Sequence, residues 1–65
     1  MIRDYFVNKM VEQLKNGDVK MAGVVHDAWA NADLADCVEG LTDVQRIVGD
    51  DVFERYEDYI ISGAE

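Results

Sequence analysis

The 65-residue sequence contains no proline and only one cysteine, Cys37. Without proline, no segment is forced out of a helix by a missing backbone N–H donor. One cysteine cannot form an internal disulfide, although small secreted domains commonly depend on several. We therefore expect a helix-rich protein that works in a reducing compartment, the cytoplasm.

The sequence also lacks a long run of apolar residues. Charged side chains already occur in the first ten residues, so the N-terminus does not have the pattern of a signal peptide. No later segment reaches the about 20 consecutive apolar residues that a membrane-spanning helix needs. We therefore expect no membrane association.

Residues typical of catalytic and metal sites are scarce. His26 and Cys37 are the only soft metal ligands, whereas a structural zinc site usually has about four. A Cys–His nucleophile pair would also need an orienting group and an oxyanion hole, and no motif marks either. We expect no metal, no cofactor and no enzymatic activity, and we interpret Cys37 as a small buried apolar residue.

Basic residues are few and unevenly placed along the chain. Six Lys and Arg stand against 14 Asp and Glu, which gives a formal net charge of −8. Residues 1–20 hold four cations and three acids, whereas residues 21–65 hold two cations and eleven acids. Nucleic-acid binding depends on Lys and Arg that neutralise phosphates, so direct nucleic-acid binding is not expected. Like charge in a compact fold costs stability, so the excess favours a basic partner.

Apolar residues are plentiful, and they recur at three- and four-residue spacing, which is the period of a helix. The pattern predicts helices over about residues 3–15 and 19–31. Gly17 is expected to end the first helix and Asp18 to cap the second, so that the two form an antiparallel hairpin. The apolar stripe of the second helix is expected to comprise Met21, Val25, Ala28, Trp29 and Ala32.

The second half of the chain is expected to contain shorter helices. One is predicted to end at Gly40, and the next to begin at Thr42 as the first residue of a capping box and to end at Gly49. A last helix is predicted over about residues 51–61. The fold class is therefore all-α: one small acidic domain, residues 1–65, with four to five short helices.

Helix capping explains part of the acidic excess. Aspartates at helix starts accept hydrogen bonds from free backbone N–H groups and lie at the positive end of the helix dipole. The other acids need another account, either an ordinary solvated face or a surface that binds a partner. Six aspartates lie at or near expected helix starts: Asp4, Asp18, Asp33, Asp43, Asp50 and Asp51.

The last helix offers the most concentrated candidate surface. Neighbouring acids on one side of a helix are about 5–6 Å apart. Each strand of duplex DNA carries one phosphate per about 3.4 Å of helix axis, so such a row is a coarse imitation of nucleic acid. Tyrosine beside it fits a binding surface, because aromatic residues are enriched at interface hot spots. The candidate partner-binding residues are Asp36, Glu39, Asp50, Asp51, Glu54, Tyr56, Glu57, Asp58 and Tyr59.

In size, acidity and absence of catalytic motifs, the chain resembles the small host-takeover and anti-defence proteins of bacteriophages, anti-CRISPR and anti-restriction proteins among them. This resemblance is one of character and assigns no individual residue. It implies an inhibitor or modulator that binds a basic surface of another protein, for example a surface that normally holds nucleic acid. The alternative function is a homo-oligomeric helical module, such as a homodimer, whose acids serve solubility.

Overall fold

Four helices follow one another in the computed structural model, which describes residues 2–63. Helix α1 spans Ile2–Lys15, α2 spans Val19–Ala32, α3 spans Leu34–Val48, and α4 spans Asp50–Ile61. The described part of the chain contains no strand. The predicted all-α class is therefore confirmed, as a small helical bundle.

The connections between helices are short, and their local chemistry explains where the helices end. Gly17 and Gly49 have φ angles of +76° and +93°, which only glycine adopts without strain. Asp18 and Asp33 cap α2 and α3, because each carboxylate accepts a hydrogen bond from the backbone N–H three residues later, at 3.0 and 3.1 Å. The predicted boundaries at Gly17, Asp18 and Gly49 are confirmed.

The predicted break at Gly40 is wrong, and so is the predicted helix start at Thr42. Helix α3 continues through both residues. Gly40 is buried, and a Cβ atom at this position would lie 2.3 Å from Cη2 and Cζ2 of the Trp29 indole. Gly40 therefore makes room for the Trp29 ring and does not end a helix.

The core draws side chains from all four helices and is centred on Trp29. The indole is completely buried, and the Phe6 ring stacks on it with 5.6 Å between ring centroids. Cys37 is buried beside this centre, as predicted, and burial raises the pKa of its thiol. The buried apolar residues are Val7, Met10, Leu14, Ala22, Trp29, Cys37, Val44, Phe53 and Tyr56.

The apolar stripe of α2 is rotated relative to the prediction. Ala22 is completely buried, although it was not part of the expected stripe, whereas Met21 is 44% exposed and Ala28 and Ala32 are exposed. Val24, at 57% exposure, lies on the same outward side as Met21 and Ala28. Helix α2 therefore carries apolar side chains both toward the core and toward solvent.

Candidate functional site

The outward side of α4 carries a continuous group of acids. At about 100° per residue, five carboxylates fall within about 120° of the helix circumference. All five residues are exposed, and Phe53 and Tyr56 occupy the opposite, buried side. We call this surface the acidic face, and it consists of Asp50, Asp51, Glu54, Glu57 and Asp58.

The charge of the acidic face is not balanced within the described part of the chain. None of its five carboxylates lies within 4.0 Å of a cationic group of residues 2–63. Asp50 accepts a hydrogen bond from Gln45 Nε2 at 3.2 Å, which is a neutral donor. Arg46, near the end of α3, pairs instead with Asp43 at 2.8 Å. The negative charge of the acidic face can therefore pair with a cationic group of another molecule.

Asp36 and Glu39 do not belong to the acidic face. Arg3 Nε donates to Asp36 Oδ1 at 2.7 Å, and Arg3 Nη2 donates to Glu39 Oε1 at 2.7 Å. The other Asp36 oxygen, Oδ2, accepts a hydrogen bond from Trp29 Nε1 at 2.9 Å. These two carboxylates therefore join α1, α2 and α3. Their part in partner binding stays a prediction, and the Glu39 side chain is still 69% exposed.

The same contacts shift the acidities of the paired groups. The Trp29 indole N–H, followed by the Arg3 guanidinium, lowers the pKa of the Asp36 carboxyl below its ordinary value. Hydrogen bonds to Glu39 and then to Asp36 raise the pKa of Arg3 above its ordinary value. Ionised Asp36 is therefore favoured in the folded state.

Asp36→Asn is expected to lower the free energy of unfolding at neutral pH, because the amide loses the ionic contact with Arg3. A carboxyl whose pKa is depressed by folding stabilises the native state above its unfolded pKa of about 4. That contribution disappears as the pH falls through the lower folded pKa. Urea unfolding followed by far-UV circular dichroism at several pH values between about 7 and 2 measures the difference.

The matched control for this measurement is Asp58→Asn on the acidic face. The Asp58 side chain makes no ion pair among the described residues, so its amide variant should not reproduce the loss seen at neutral pH. A deficit of Asp36→Asn that stays constant down to about pH 2 would contradict an ionic role for Asp36.

Of the two candidate tyrosines, Tyr56 is a core residue. Its side chain is 1% exposed, and its hydroxyl lies 2.7 Å from His26 Nδ1. Burial, with a further contribution from the Asp27 charge, raises the pKa of the Tyr56 hydroxyl above its ordinary value. Tyr56 therefore does not present a contact surface, whereas Tyr59 is half-buried at the edge of a groove.

Two grooves on either side of α2 were not predicted. One, of about 380 Å³, lies between α2 and α4, and the other, of about 260 Å³, lies between α1 and α2. Val24 lines both grooves and separates them. Exposed apolar side chains around them are Tyr5, Met21, Val24 and Ile60. The spacing of Met21, Val24 and Ala28 was the signal in the sequence for this outward apolar side.

Other kinds of site find no support in the described residues. Among residues 2–63, no three or more His, Cys, Asp or Glu side chains are grouped so as to hold a metal ion. None of the helices in the same range combines the length and apolarity needed to cross a bilayer. Comparisons with protein-family models, with curated proteins and with solved structures found no match.

Proposed function

We propose that the protein binds a basic surface of another protein through the acidic face of α4, and that it inhibits or modulates that partner. The observation that carries the proposal is the group of five exposed carboxylates without an ion pair among residues 2–63. Exposed helices usually mix acids and bases four residues apart, and each such pair contributes about 0.2–0.5 kcal/mol. Arg55 is the single base of α4, and no ion pair within 4.0 Å joins it to the acidic face among residues 2–63, so a basic partner would supply the missing compensation.

A surface that normally holds nucleic acid is the kind of partner that fits. At about 1.5 Å per residue, the acidic face from Asp50 to Asp58 extends about 12 Å along the helix. Measured along the duplex axis, this length corresponds to about three to four phosphates of one DNA strand. The proposed activity is therefore that of a short nucleic-acid mimic, similar in character to phage anti-CRISPR and anti-restriction proteins, and it involves binding without catalysis. The single, buried cysteine supports a cytoplasmic location.

The test is neutralisation of the acidic face by Glu54→Gln combined with Asp58→Asn. These changes keep the side-chain shapes, and both positions are exposed, so the fold should survive. The association rate with the partner should fall about threefold or more at low salt, because exposed charges mainly steer encounter. The partner is first recovered from a lysate of the source cells at about 0.05 M salt, and its kinetics are then measured by surface plasmon resonance at low and high salt.

The control removes the same number and type of charges from α1, by Glu12→Gln combined with Asp4→Asn. Both residues are exposed, and neither belongs to the acidic face. This variant should bind nearly as fast as the parent protein. Equal association rates for the α4 and α1 variants would refute the acidic-face proposal. The nucleic-acid-mimic part would be refuted if duplex DNA did not compete with the protein for the recovered partner.

We also propose self-association as a second candidate function. It is favoured by the exposed Tyr5, Met21, Val24 and Ile60 around the two grooves. A domain of about 60 residues buries only roughly 60% of the surface that its unfolded chain exposes, so pairing would add burial that one copy lacks. Salt separates the two candidates, since binding to a basic partner weakens with ionic strength whereas an apolar contact tolerates it.

A further inference from the structure

The outward side of α2 has the spacing of a helix–helix contact. Met21, Val24 and Ala28 follow one another at three- and four-residue steps, which is the spacing of the contact positions in paired helices. Val24 is 57% exposed and stands between the two grooves. Met21, Val24 and Ala28 therefore form a ridge with a groove on each side. Such a surface is complementary to a second copy of itself, because side-chain ridges pack into grooves where helices cross.

Two opposite charges lie at similar distances before and after Val24 along α2. Lys20 and Asp27 are both exposed and both line the groove between α2 and α4. They are seven residues apart, and the midpoint between them falls at residues 23 and 24. If two α2 helices cross in opposite directions at Val24, Lys20 of each copy faces Asp27 of the other. A parallel crossing would instead oppose Lys20 to Lys20, so the charges select the antiparallel arrangement.

The local charge also suits a contact between two acidic molecules. Among residues 2–63, the ionisable side chains that line the two grooves include Lys9 and Lys20 but only one carboxylate, Asp27. The full chain has a net charge of −8. Two copies that meet through α2 therefore approach by a side with little negative charge. The repulsion between their remaining acids is smaller there than at the acidic face.

We propose that this face binds a second copy of the same chain, in a two-fold symmetric dimer whose α2 helices cross antiparallel at Val24. The dimer contains two equivalent Lys20–Asp27 pairs, because a two-fold axis repeats every contact. The inference rests on the second candidate function, self-association, and is independent of a basic partner. The acidic faces stay outside the α2–α2 contact.

The first test compares Val24→Asp with Val38→Asp by sedimentation equilibrium of the full chain at tens of micromolar. Val38 is a matched control, because it is 63% exposed on α3 and lines neither groove. Val24→Asp should raise the dimer dissociation constant about tenfold or more, since it places a carboxylate at the centre of the contact. Val38→Asp should leave the constant nearly unchanged, and helicity by circular dichroism should be retained in both.

The second test exchanges the flanking charges. Lys20→Glu alone and Asp27→Lys alone should each weaken the dimer about tenfold, because like charges then face each other across the two-fold axis. The double variant should recover dimerisation, because it restores opposite charges in reversed order. Such recovery is not expected if the two residues affect dimerisation independently of each other.

Each contrary result has a distinct meaning. A parent protein that remains monomeric would overturn the interface and the second candidate function together. A dimer that is insensitive to Val24→Asp would overturn the interface while self-association stands. A double variant that fails to recover would overturn the antiparallel arrangement. None of these results alters the expected behaviour of the acidic face.

Discussion

Gly40→Ala is expected to destabilise the fold by about 1–3 kcal/mol, although alanine is the better helix former. The added Cβ would lie 2.3 Å from two atoms of the Trp29 ring, and that ring is completely buried and cannot move into solvent. Either α3 must shift away from α2 or the indole must leave its rotamer. Urea unfolding followed by far-UV circular dichroism measures the loss.

Gly23→Ala is the matched control, because Gly23 also lies inside a helix. A Cβ atom there would meet only Cε2 of Tyr59, at 3.9 Å, which is an ordinary van der Waals contact. The variant should therefore be more stable than the parent by about 0.5–1 kcal/mol, through the lower backbone entropy of the unfolded chain. If both alanine variants changed the free energy of unfolding in the same direction, helix propensity would dominate over the contact with Trp29.

A double-mutant cycle isolates the contact between these two residues. Trp29→Phe removes the part of the ring nearest to Gly40, so Gly40→Ala should cost less in that background than in the parent. If the cost of Gly40→Ala is the same in both backgrounds, the destabilisation does not arise from the indole.

Trp29→Ala is expected to lower the free energy of unfolding by about 3–5 kcal/mol. It empties the centre of the core, removes the ring that stacks on Phe6, and leaves one oxygen of Asp36 without its indole donor. At about 0.05–0.15 kcal/mol per residue, this loss is a large part of the total stability of a chain of this length. The variant should therefore be largely unfolded at room temperature, with low helicity by circular dichroism.

Leu34→Ala is the control for loss of apolar volume. Leu34 is 64% exposed on α3, so its truncation should change stability by no more than about 0.5 kcal/mol. A Trp29→Ala variant that still unfolds cooperatively near the urea midpoint of the parent would contradict the central role of the indole.

The features that could be predicted from the sequence depend on local chemistry. Gly17 and Gly49 end helices because their backbone requires a positive φ, and that requirement does not depend on distant residues. Asp18 caps α2 through a backbone N–H only three residues away. The acids of α4 share one side because helical spacing alone places them there.

The features that escaped prediction depend on partners far along the chain. A glycine that ends a helix and a glycine that admits a ring look alike in sequence, so the role of Gly40 required the position of Trp29. Asp36 was expected on a surface, but its partner Arg3 lies 33 residues earlier. Tyr56 lies on an apolar stripe, and its hydroxyl partner His26 lies 30 residues away. Spacing within one helix contains no information about such contacts.

Because Cys37 is buried, the rate of its reaction with a thiol reagent measures opening of the core. Its sulfur is the only one in the chain that a disulfide reagent can attack, and a reagent reaches it only after the surrounding helices separate. The raised pKa keeps the thiol protonated, so the closed form is unreactive for a chemical as well as a steric reason. At low reagent concentration, the labelling rate would therefore report the equilibrium constant for opening of the core. At high reagent concentration, it would report the rate constant for opening.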